Sequence, residues 1–127
     1  MSQIFRQGDI LLREVSDVDA ERLHQVSKED GIVLAYGEVT GHSHRVQGEA
    51  VLAADYDMTK EQAHQFALNG EKSGRLFLLL DDSVSVAHEE HGTIPIEGKG
   101  SAGKPRVFEV IRQREFDKTE GMRFVAD

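Results

Sequence analysis

From Ile32 to Val46 the chain alternates with a period of two. Ile32, Leu34, Tyr36, Glu38, Thr40, His42, His44 and Val46 occupy the even positions, and Val33, Ala35, Gly37, Val39, Gly41, Ser43 and Arg45 the odd ones. Successive side chains of an extended strand point to opposite faces. The pattern therefore predicts a strand whose one face carries both histidines together with Glu38 and Thr40. Gly37 and Gly41 on the other face suggest a bulge or a close approach by another backbone.

The rest of the chain repeats this theme in shorter pieces. Ile4 to Val15 reads as a strand with a bend at Gly8-Asp9. Glu49 to Tyr56, Arg75 to Leu80, Ser83 to His91 and Val107 to Phe116 read as further strands, with Asp81-Asp82 as a turn. Ser16 with Asp19 resembles a capping box, which predicts a short helix, and Glu29-Asp30-Gly31 reads as a turn. Thr59 and Gln62 match a capping box, Ala63, Phe66 and Ala67 form an apolar stripe at helical spacing, and Asn69-Gly70 supplies a stop. A helix near Lys60 to Asn69 is expected. Ile94 to Gly98 reads as a turn-rich link, and Lys99 to Pro105 as a flexible hairpin loop. No repeat or domain-splitting linker is visible, so residues 1–127 are expected to form a single β-rich domain. The expected class is mainly β, a small antiparallel barrel or sandwich with one or two short helices.

Composition narrows the possible partners. Fifteen basic against twenty-three acidic residues give a net charge of −8, which argues against non-specific binding to nucleic acid or to an anionic membrane. The absence of cysteine excludes disulfides, thiolate ligands and thiol nucleophiles. The start lacks the apolar core of a secretion signal, and the aliphatic run from Leu76 to Leu80 is too short to span a bilayer, so the expected location is the cytoplasm. A small-molecule substrate and homo-oligomer formation both stay open.

Four of the six histidines fall in two tight pairs. His42 and His44 on one strand face are about 7 Å apart at the backbone, a separation from which two rings can converge on one ion. His88-Glu89-Glu90-His91 adds two imidazoles and two carboxylates. A regular strand cannot turn both His88 and His91 inward, but a bend permitted by Gly92 could. Imidazole and carboxylate suit a divalent transition metal such as zinc, iron, nickel, manganese or copper. The expected ligands are His42, His44, His88 and His91. Glu38 is a candidate ligand, ligand-orienting partner or general base, and equally a rim carboxylate, while Glu89 is the second candidate for proton transfer. His24 and His64 lie in polar, helix-like stretches and read as solvated. Arg112-Gln113-Arg114-Glu115 could bind an anion or form an inter-strand ion-pair network.

Two motifs fail. Gly98 to Lys104 has the spacing of a phosphate-binding loop, but Pro105 stands where Ser or Thr is needed, and a strand rather than a helix follows. The histidines of His88-Glu89-Glu90-His91 are three apart, one short of the helical metalloprotease motif.

Gly37 to His44, His88 to His91 and Arg112 to Phe116, with Gln7-Gly8-Asp9, resemble a family of small uncharacterised bacterial and phage-associated proteins. Relative to that pattern, Lys60 to Gly70 and Lys99 to Pro105 look like insertions. His42-Ser43-His44 followed by Glu49 is similar to the first cupin motif, and no histidine follows Pro95 to match the second. The cupin resemblance implies a cupin-like architecture.

Overall fold

A computed structural model describes residues 3–37, 41–70, 74–98 and 104–112. The elements run β1 (Ile4–Gln7), β2 (Ile10–Glu14), a 3-10 turn at Ala20–Arg22, β3 (His24–Asp30), β4 (Val33–Tyr36), β5 (Ser43–Gln47), β6 (Glu49–Ala54), α1 (Lys60–Asn69), β7 (Leu76–Leu80), β8 (Val84–Ala87), β9 (Ile94–Ile96) and β10 (Arg106–Arg112). They form a six-stranded sheet, β1-β2-β10-β7-β6-β3, and a four-stranded sheet, β4-β5-β8-β9. Neighbouring strands pair antiparallel in both. The mainly β expectation holds.

Among the described residues neither sheet closes into a barrel. Two of the edges show why. β3 is polar and mostly exposed, and β9 carries Pro95, which lacks a backbone donor for a further partner. The two sheets nevertheless share one core. Leu12, Leu52, Leu78 and Phe108 of the larger sheet and Leu34, Val46, Val86 and Ile96 of the smaller belong to the same buried cluster. Leu76, Leu78 and Leu80 of β7 join that cluster, while Phe77 is buried on the opposite face under the Arg75 guanidinium, 5.0 Å from its ring. This explains an apolar run without alternation: β7 is covered on both sides.

Several local expectations change. The stretch from Ile32 to Val46 is not one strand but the hairpin β4–β5, in which Tyr36 pairs with Ser43. The Gly37 amide donates to the His42 carbonyl at 2.9 Å, and Gly41 at φ 88° returns the chain into His42. Gly8-Asp9 is likewise a full turn, between β1 and β2. Asp19, not Ser16, caps the first helical segment, which is a single 3-10 turn. β3 and β9 stand where polar or turn-rich links were expected, so His24 opens a strand rather than sitting in a helix. Helix α1 has the expected bounds, with Thr59 and Gln62 bonded reciprocally and Gly70 left-handed at φ 76°. No helix of the described residues is long and apolar enough to cross a membrane.

Beside Phe77, nearly buried Glu109 accepts bonds from Arg13 at 2.7 Å and Arg75 at 3.1 Å. Burial pushes its carboxyl up, and the two guanidinium groups more than reverse that, holding it below the ordinary 4.5. A carboxyl with a depressed folded value contributes stability above its unfolded value and loses it as pH falls through the folded one. Glu109→Gln is expected to cost about 1–2 kcal/mol at neutral pH. It should also flatten the loss of stability below pH 4.5, measured by urea melts across the acid range.

Candidate metal centre

The site follows from one strand register. β5 pairs with β8 so that Arg45 faces Ala87 and Val46 faces Val86. Continuing that register one step sets His44 opposite His88, then Ser43 opposite Glu89 and His42 opposite Glu90. Val46 and Val86 are core residues, and His44 and His88 extend the same inward column, 0% and 7% exposed. Their ring centroids lie 4.4 Å apart. His42, two residues before His44, brings its ring to 5.6 Å from that of His88. His91 brings its ring to 4.6 Å from His88 and 6.0 Å from His44. The structure thus brings the other three expected ligands around His88. His24 and His64 are exposed and elsewhere, His64 edge-on to Tyr36 at 5.8 Å.

A bend does unite His88 and His91, though not through Gly92. β8 ends at Ala87, and the Glu90 amide donates to His88 Nδ1 at 3.0 Å, folding the chain back at once. Gly92 is not among the glycines with positive φ, and a Cβ there would meet open space. Its contribution is a carbonyl.

That carbonyl leads to Gln7 and Asp9, whose roles the sequence did not suggest, and to Arg112, expected to bind an anion or join an inter-strand ion-pair network. The Gln7 amide nitrogen donates to Val86 O at 2.9 Å and Gly92 O at 2.8 Å. Its oxygen is thereby turned to His44 Nδ1, at 2.8 Å, so Nδ1 is the donor. His44 Nε2 faces Asp9 Oδ1 at 3.5 Å. The other Asp9 oxygen accepts from Arg112 Nε at 2.8 Å, and Arg112 Nη1 donates to the carbonyls of Phe66 and Ala67 in the last turn of α1, each at 3.2 Å. Asp9 is 0% and Arg112 2% exposed. A buried polar chain therefore runs from the end of α1 through Arg112, Asp9, His44 and Gln7 to the backbone beside His91. Pairing of Arg112 with Ile10 places the arginine next to Asp9.

The carboxylates divide into three cases. Glu89 accepts the Ser43 amide at 2.9 Å, the bond expected from the continued register. That bond, its own amide and the nearby His42 and His88 lower its carboxyl below the ordinary value. A carboxylate held anionic is a better metal ligand than proton carrier, which weighs against Glu89 as general base. Glu90 reaches to 3.7 Å from His42 Nδ1. Glu38 lies outside the described residues, as do Gln113, Arg114 and Glu115. The single-strand geometry that aligned Glu38 with the histidines is replaced by the hairpin. One donor atom from each of His42, His88 and Glu89 lies within 4.8 Å of the other two.

A family model described as Domain of unknown function (DUF8820) matches residues 6–101. The chain belongs to this family. The DUF8820 match spans Gln7, Asp9, all four clustered histidines and Glu89, and it ends before Arg112. No curated protein and no solved structure matches the chain.

Proposed function

We propose that this DUF8820 protein binds one divalent transition metal ion through His42, His88 and Glu89, beside the ring of His91. The observation that carries the reading is the convergence of three donor atoms within 4.8 Å. Ligand atoms around a tetrahedral zinc lie about 3.4 Å apart, so shifts of about 1 Å in side chains at the strand ends complete the site. His44 buttresses it, oriented by Gln7 and Asp9 and packed against the His88 ring.

One bond opposes the reading and can be weighed. The Glu90 amide occupies His88 Nδ1. Ligation at Nδ1 displaces that amide, and ligation at Nε2 moves the ring proton to Nδ1, so either loses one hydrogen bond. The loss is about 1 kcal/mol, against about 10 kcal/mol or more for a well-formed structural zinc site. Metal ligation wins.

Zinc, iron, nickel and manganese all suit the donor set, with imidazole favouring the first three. Three protein ligands leave a position at which a bound ion polarises a water or a small-molecule substrate. On this reading, the paired sheets would form a sandwich, in keeping with the cupin-like architecture that the resemblance implies. A second reading is favoured by His44, both of whose ring nitrogens face side-chain oxygens. The histidines would then knit a polar core in a non-catalytic interaction module.

Competition against a chromophoric chelator separates the readings. Glu89→Gln and His42→Ala are each expected to weaken zinc affinity by at least about tenfold, with His24→Ala unchanged. Equal affinities in all three variants would support the second reading.

A further inference from the structure

A cleft of about 300 Å³ opens where helix α1 lies across strands β3 and β4. It shares no lining residue with the histidine cluster. Its floor is apolar: Val26, Ile32, Leu52, Ala63 and Ala67 are each 9% exposed or less. Its wall carries Lys60, His64, Tyr36 and Arg45, with Glu29 as the sole acid among the described lining residues. Lys60 and His64 stand one turn apart on α1 and so share a face, beside the Ala63–Ala67 stripe. Arg45 is anchored by a bond from Nη1 to the Gly31 carbonyl at 2.9 Å, which leaves the rest of its planar fork for an anion. The chain as a whole has a net charge of −8, so two fixed cations and one acid among the described lining residues reverse the prevailing sign.

We infer that this cleft binds a small organic acid, its hydrocarbon or aromatic body on the floor and its anionic group at Arg45 and Lys60. Sites for small ligands start at about 300 Å³ and combine an apolar lining with a few placed polar groups, as here. The edge-to-face pair of Tyr36 and His64, 5.8 Å between centroids, gives an aromatic wall suited to a flat body. The inference is independent of the metal reading and survives its failure.

The test uses two fluorescent probes on the full chain. Anilinonaphthalene sulfonate joins an aromatic body to an anion, and phenylnaphthylamine is nearly the same body without the charge. The sulfonate is expected to bind saturably at one site and to be displaced by decanoate or benzoate. Arg45→Glu and Lys60→Glu change exposed side chains. Each should weaken sulfonate binding by about tenfold, the equivalent of one charge-assisted contact of about 1.4 kcal/mol. Phenylnaphthylamine affinity should be unchanged in both variants. Circular dichroism and a cooperative melt establish that the variants are folded. Absence of saturable sulfonate binding, or sulfonate affinity within about twofold of wild type in both folded variants, overturns the inference.

Discussion

Replacing Arg112 with alanine is expected to destabilise the protein by about 3–5 kcal/mol. The guanidinium is 2% exposed, and its Nε lies 2.8 Å from an Asp9 oxygen that is itself 0% exposed. Removing it leaves an uncompensated buried carboxylate. It also leaves the Phe66 and Ala67 carbonyls at the end of α1 without the donor that now serves both. For a chain of this length the loss corresponds to a fall in melting temperature of about 10–20 °C. The pair itself contributes far less than its rupture costs, because both charges were taken from water on folding. Exchanging both partners, as Asp9→Leu with Arg112→Met, should therefore recover a large part of the loss. A chemical melt of the wild type and the two variants checks this, and a loss of less than about 1 kcal/mol in Arg112→Ala would contradict the buried-pair account.

Zinc is expected to raise the melting temperature of the wild type markedly. An ion that binds only the folded state adds about 2.7 kcal/mol at a hundredfold excess over its dissociation constant, near 10 °C here. His42→Ala and His88→Ala should abolish the rise, since each removes a donor from the group of three. His24→Ala, on an exposed strand end far from the cluster in sequence, should keep it. The rise should shrink in acid, because only neutral imidazole ligates. Differential scanning fluorimetry with zinc, iron, nickel and manganese measures all of this in one plate.

What could be read in advance depended on range. Helix α1 was legible because its cap, stripe and stop lie within twelve residues of Thr59 and depend on nothing distant. β3 was not: it has no apolar alternation and is a strand because β6 lies beside it. The hairpin within Ile32 to Val46 was hidden by parity. Alternation runs on through the turn in step, so the sequence resembles one long strand while the chain reverses.

The histidine pairs were legible for a related reason. Positions 42 and 44 share a face on any strand, and the β5–β8 register does the rest. Asp9 and Arg112 are separated by 103 residues and meet only because β2 pairs with β10. Arg112 was legible as a candidate for an inter-strand ion pair, but nothing local pointed to Asp9 as its partner. Glu38 lies outside the described residues, and the hairpin removes only the unbroken-strand argument on which its expected direction rested.

The most direct test of the metal centre is equilibrium dialysis of protein purified without a histidine tag against micromolar zinc, followed by elemental analysis. A single zinc ion per wild-type chain, and close to none in His42→Ala and His88→Ala, is the predicted result. A wild-type chain that emerges without zinc, or variants that retain as much as the wild type, would contradict it.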